Sequence, residues 1–304
     1  MTGNGERLAA VAFVTQAVLA GGNAVGVRYS NRELEPLWGA SLRFMLAAVL
    51  LLAIMAALRL GFPRGKALGG SALYGLINFG MAFALFYYGM VRVHAGLGQV
   101  LLALVPLFAL LLAVLWRQER LRAAALLGTL LALAGVALLT RAPLRESVPL
   151  LPMLAVVGCA VCFAQAMVLV RRVPRVHPVT MNAVGMTVGA AFLFVGSLIF
   201  GETLALPQRT ETWVAISFVA VIGSVVVFLL YVFVLQYWVA SRAAYGFVII
   251  PFVTVLLSSR LDDESITTGL VFGGLLVLAG VYVGALRPAH VDRVHSELGR
   301  APQA

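Results

Sequence analysis

The chain has 304 residues, of which 62% are apolar and 11% charged, with a net charge of +10 and a mean hydropathy of +1.01. Soluble globular chains run at roughly 45–50% apolar and about 25% charged, so the excess apolar surface must face lipid. The same composition excludes a disordered chain, which would be polar, and a nucleic-acid binder, whose basic residues would gather in one patch or tail.

Apolar stretches of roughly 20 residues cross a bilayer as helices. In chain order they fall near 8–27, 37–58, 69–91, 95–116 and 123–140, then near 150–170, 179–200, 212–235, 239–258 and 266–286. The first has the look of a secretory signal, with Arg7 before its apolar run, but nine further spans follow and it is expected to be retained. Placing the N-terminus in the cytoplasm and alternating sides puts fourteen Lys/Arg on the cytoplasmic side and seven opposite. That bias favours both termini inside. Cys159 and Cys162 have C-x-x-C spacing, yet their apolar surroundings, with no histidine near, suit packing inside a span better than redox or metal chemistry.

A duplication at a fixed offset of 145 residues is the most informative feature. Pro106 falls on Pro251, Glu119 on Glu264 and Gly128 on Gly273, while LALAGVAL (131–138) falls on LVLAGVYV (276–283). Each copy then holds five spans. An odd number inverts the second copy relative to the first, giving the inverted-repeat architecture of secondary transporters, with the site between the halves near mid-membrane. The expected fold is an all-α integral membrane protein of ten transmembrane helices in two inverted five-helix repeats, 1–145 and 146–288, with a cytoplasmic tail at 289–304.

The segments WRQERLRAAALLGTLLALAGVALL (116–139) and LDDESITTGLVFGGLLVLAGVYV (261–283) resemble the two closing motifs of the EamA-type repeat of the drug/metabolite transporter superfamily. LAGGNAVGVRYSNRELEPLWGASLRFMLAAVLLL (19–52) is similar to that family's first two spans. The resemblance implies ten helices, both termini in the cytoplasm, a multi-pass location in the cytoplasmic membrane, and a central cavity serving export of metabolites such as amino acids, or of drugs. Gln118 and Asp263 stand where the family usually has a small residue.

Arg43, inside the second span, is a charge in hydrocarbon and thus a candidate anchor for an anionic substrate group; a structural role on neighbouring carbonyls is the alternative. The intramembrane amides Gln16, Asn23, Asn78, Gln99, Gln165 and Asn182 either line the cavity or bond neighbouring helices, with Asn78 and Gln99 favoured for the cavity. Tyr87, Tyr88, Tyr231 and Tyr245 are candidates for an apolar cavity wall. Trp38, Trp116, Trp213 and Trp238 lie near span ends, where interfacial anchors belong.

Pro106 and Pro251 are expected to kink their spans as hinges or static bends, and Glu119 and Glu264 to cap the fifth and tenth spans. All twelve acids map outside span interiors, which favours facilitated diffusion or exchange over carboxylate-based proton coupling. The partners expected are a small-molecule substrate and the bilayer, with no cofactor, metal or nucleic acid; a homodimer is left open. The competing readings are an integral membrane enzyme acting on lipid or prenyl substrates and a non-transporting scaffold. The enzyme would need carboxylate pairs or metal ligands that the four loop or tail histidines, His94, His177, His290 and His295, do not supply.

Overall fold

A computed structural model describes residues 3–117, 149–170, 172–238, 243–244, 246–261 and 268–283, together with eight positions between 124 and 138. Every regular element among them is helical. Seven helices are long and apolar enough to cross a membrane: Gly5–Ser30, Pro36–Ala57, Gly65–Met90, Ala95–Leu115, Leu150–Val170, Pro178–Ile199 and Thr210–Tyr237. Two shorter apolar helices, Ile250–Leu261 and Val271–Gly280, fall where the ninth and tenth spans are expected. The expected fifth span lies mainly outside the described residues, and its described positions are helical. In the numbering of the ten expected spans, the seven long helices are the first to fourth and the sixth to eighth.

Local sequence explains where these helices start and stop. Pro36 and Pro178 open the second and seventh spans, where a missing N–H costs nothing. Gly201 closes the seventh span at φ +70, and the Glu202 N–H turns back to the Ser197 carbonyl. That turn aims Glu202 across to the second span. Large apolar side chains such as Leu8, Val11, Val49, Ile199 and Phe200 remain exposed, as lipid-facing positions must.

The third and eighth spans share a departure from regular α-helix. Leu76–Met81 and Val221–Val226 are π-helical turns, and their ends are 145 residues apart. Such turns are rare and are found mostly as single insertions in α-helices, frequently at functional sites. Here the repeat carries one in each half.

The two prolines sit differently in their helices. The fourth span breaks at Ala103–Leu104 into Ala95–Leu102 and Val105–Leu115, with Pro106 at the start of the second piece. Pro251 stays inside an unbroken helix, Gly246–Leu261. Glu119, Glu264 and Tyr245 lie outside the described residues, as does the 289–304 tail.

Candidate functional site: a cavity between the halves

The core between the two halves is aromatic. Phe83 packs on Phe163 at 5.5 Å and on Phe228 at 6.1 Å, both edge-on, and Phe163 meets Phe247 at 5.7 Å. These rings leave a narrow cavity of ≈ 50 Å³. It has room for a few waters, so a metabolite needs the walls to part.

Six helices contribute. The first span gives Gln16, Ala20 and Asn23; the third gives Asn78, Phe83 and Phe86; the fourth gives Gln99 and Leu102. From the other half come Phe163, then Val227, Phe228 and Tyr231, then Phe247 and Ile250. Three pairs in this wall stand 145 residues apart: Phe83 with Phe228, Phe86 with Tyr231, and Leu102 with Phe247. The last pair is also where the prolines act. Pro106 and Pro251 have no N–H to give the carbonyls of Leu102 and Phe247, four residues earlier, so two main-chain acceptors beside the cavity lose their helical donors.

The polar side chains of the wall are neutral amides and one phenol. Asn78 is fully buried; its Nδ2 donates to the Tyr74 hydroxyl at 3.4 Å and its Oδ1 meets no donor. Gln16, Gln99 and Tyr231 are each 4% exposed.

Behind Asn23 lies the charge. Arg43 is completely buried, and among the described residues it is the one charged side chain in the buried set. Its Nε donates to Ser224 Oγ at 2.8 Å, and its Nη2 to Asn23 Oδ1 at 3.2 Å and to the Gly223 carbonyl at 3.1 Å. Asn23 Nδ2 donates to the same Gly223 carbonyl at 3.3 Å, and the Ser224 hydroxyl to Val219 at 2.8 Å. The guanidinium also sits 4.8 Å from the Phe83 ring centre and 5.1 Å from that of Phe44. A cation from the first half therefore grips the π-turn of the second. Gly223 is required for this approach: a Cβ there would lie 1.8 Å from Asn23 Oδ1 and 3.3 Å from Arg43 Nη2.

Of the residues singled out in the sequence, the structure brings Gln16, Asn23, Asn78, Gln99 and Tyr231 together in the wall. Arg43 and Tyr87 are buried behind it, and Tyr88 is exposed. Gln165 is half-buried on the sixth span, outside the lining set. Asn182 bonds the carbonyls of Pro178 and Phe228. The phenylalanines were not singled out from the sequence; the 145-residue offset that pairs Phe83 with Phe228 was the signal available. Cys159 and Cys162 are free thiols, and no metal-ligating cluster occurs among the described residues. A larger cleft of ≈ 280 Å³ beside Phe252, Leu256 and Leu275 is wholly apolar and lies on the lipid-facing side of the ninth and tenth helices.

The halves are also tied at one rim. Leu37 and Trp38, in the first turn of the second span, donate main-chain N–H groups to the Glu202 carboxylate at 3.1 and 2.7 Å. In return, the N–H groups of Gln208 and Arg209, entering the eighth span, are received by Glu33. Trp38 Nε1 adds a bond to the Ala205 carbonyl at 2.6 Å. The Thr212 hydroxyl and then the Gln208 N–H hold the exposed Glu33 carboxyl below its ordinary pKa.

The EamA-like transporter family matches residues 7–141 and again 150–285. The chain belongs to that family. It is 25% identical over 261 residues to an uncharacterized transporter of Archaeoglobus fulgidus, covering 84% of this chain and 91% of that one. It is 26% identical over 275 residues to the uncharacterized inner membrane transporter YedA of Escherichia coli K12, at 86% and 88% coverage. Another E. coli K12 protein, named a probable amino-acid metabolite efflux pump, is 24% identical over 277 residues, at 88% and 91% coverage. A solved crystal structure shares the fold with a TM-score of 0.65 at 20% identity, covering 91% of this chain and 96% of its own. This EamA-family chain is thus a multi-pass membrane protein of the transporter type.

Proposed function

We propose that the protein is a secondary transporter that moves small amphipathic metabolites, amino acids or similar solutes, across the cytoplasmic membrane by alternating access through the central cavity. The observation that carries this reading is the cavity wall itself, built at repeat-equivalent positions from both halves. Two halves of inverted orientation can exchange conformations, so a site between them can open to either side at similar energy. The aromatic rings suit an apolar body, and the amides of Gln16, Asn23, Asn78 and Gln99 suit polar groups of that solute. In this reading residues 1–145 and 146–288 are the two repeats and both termini are cytoplasmic, as the Lys/Arg bias favours. The rim of Glu33 and Glu202 then faces outward. Among the described residues no carboxylate lines the wall, which supports facilitated diffusion or exchange. The name of the E. coli efflux pump supports amino-acid metabolites as the first solutes to try.

The test is efflux from liposomes loaded with a mixed metabolite pool, read by mass spectrometry, with Phe228→Ala beside the wild type. Selective release of one solute class, altered by Phe228→Ala, is the expected outcome. Release that Phe228→Ala leaves unaltered would move the path away from this cavity. Accumulation driven by a pH gradient alone would overturn the coupling assignment.

A further inference from the structure

A buried guanidinium with no counter-charge is an expensive object. Removing a cation from water costs several kcal/mol even after relaxation, and a carboxylate partner is the usual remedy. The partners of Arg43 are a hydroxyl, an amide oxygen and a main-chain carbonyl, all neutral. Guanidinium carries five N–H donors. Nε and Nη2 are committed to these acceptors, while Nη1 is buried and meets none. The Tyr87 hydroxyl, also fully buried, interacts with the guanidinium and with Ser30. A buried cation whose neighbours are all neutral, with Nη1 uncommitted, is the beginning of an anion site.

That site is one side chain away from the cavity. Asn23 lines the cavity and holds Arg43 Nη2 with its oxygen. Phe83 lines it too, with its ring centre 4.8 Å from the guanidinium carbon. A rotation of either residue would expose the cation to a bound solute.

We propose that Arg43 Nη1, with the Tyr87 hydroxyl near it, forms a binding site for a singly charged anionic group, reached from the cavity past Asn23. The group is either the carboxylate of a solute whose apolar body lies among the phenylalanines, or a free halide. An anion on Nη1 would draw the guanidinium toward itself and away from the Asn23 and Gly223 acceptors on Nη2, and so loosen the hold on the π-turn of the eighth span. Occupancy would thereby reach an element of the second half. The solute branch of this proposal rests on the transporter reading above; the anion site itself does not.

The experiment is a thermal-melt titration of the purified protein in detergent, in gluconate buffer, with three probes: 4-methylpentanoate, its neutral isostere 4-methylpentanamide, and chloride. The carboxylate is expected to raise the melting temperature saturably, with an apparent Kd about tenfold or more below that of the amide, as hydrogen bonds to a charged group predict. Arg43→Gln is expected to abolish the discrimination. Tyr87→Phe, which keeps the ring, is expected to weaken carboxylate binding about threefold to tenfold, and serves if the arginine variant does not fold. An equal chloride shift that competes with 4-methylpentanoate would identify the halide as the occupant; no chloride shift would identify the solute carboxylate. Equal binding of carboxylate and amide, a preference that survives Arg43→Gln, or no shift with any probe would each overturn the site. Liposome flux without anion preference would remove the site and leave the transporter; carboxylate binding without flux of any solute would do the reverse.

Discussion

The two π-turns occupy the same register of the two repeats and are held in opposite ways. Leu76–Met81 is held by packing. Phe79 contacts the rings of Phe44, Tyr74 and Phe228 at 5.2, 5.4 and 4.8 Å, and Gly75 lies against the backbone of Gly185 in the seventh span. Val221–Val226 is held by polar bonds. There Ser224, the equivalent of Phe79, receives Arg43 Nε, and Gly223, the equivalent of Asn78, receives Arg43 and Asn23. Duplication preserved the backbone geometry, and the support then diverged. Packing among rings resists small shifts everywhere at once, whereas hydrogen bonds to a carbonyl can be exchanged one at a time. The second turn is therefore the one a ligand can address.

The largest expected effect is on the packed turn. A Cβ at Gly75 would sit 2.3 Å from the Cα and carbonyl oxygen of Gly185, and neither backbone can yield. Gly75→Val should cost about 3 kcal/mol or more and deplete folded protein on size-exclusion chromatography. A well-folded Gly75→Val protein would show that the third and seventh spans can separate there.

On the clamped turn, Gly223→Ala should cost about 2 kcal/mol, because the new methyl group collides with the Asn23 side chain. The same change made on an Asn23→Ala background should cost much less. This non-additivity, read as melting temperatures in a double-mutant cycle, is the sharpest check on the clamp. Additive costs would mean that Gly223 is constrained by something else.

How much of this was legible follows from the physics of each residue. The spans were readable because lipid imposes length and hydropathy, and Arg43 because a charge in hydrocarbon is conspicuous. The π-turns were not, since inserting one residue into a helix calls for no proline and no particular side chain. Tyr87 and Arg43 sit behind the wall although both are polar, because hydrogen-bonding type does not say which side of a helix faces the cavity. Gln165 illustrates the same gap: an amide satisfies the pattern whether it meets solute or a neighbouring helix.

Smaller effects separate the two turns further. Ser224→Ala should cost about 1–2 kcal/mol by leaving a buried Arg43 N–H without its acceptor, and Arg43→Met in the same chain should recover part of it. Asn78→Ala, at the equivalent of Gly223, should cost only about 0.5–1 kcal/mol, since its single bond is long and its oxygen is already unsatisfied. Melting temperatures of the purified variants rank the three.

The smallest effect concerns the rim. Glu33 has its pKa lowered in the folded protein, so its contribution is present at neutral pH and is lost as pH falls through that depressed value, below the ordinary 4.5. Amide protection at Gln208 and Arg209, corrected for intrinsic exchange rates, should drop in that acid range. Glu33→Gln should already show the lower protection at pH 7; identical protection in wild type and variant would detach Glu33 from the tie.

In that rim each side offers one carboxylate acceptor, which main-chain N–H donors of the other side meet. Main-chain donors are supplied by every residue except proline, so apart from Trp38, whose Nε1 bonds the Ala205 carbonyl, the 205–209 and 36–38 segments can change their side chains without losing the tie. Only the two acceptors and the Trp38 indole are fixed. Loop swaps between homologues should thus be tolerated there provided Glu33, Trp38 and Glu202 travel with them and no proline enters at 37, 38, 208 or 209. This rim is accordingly where a foreign epitope or reporter peptide can be grafted beside the membrane.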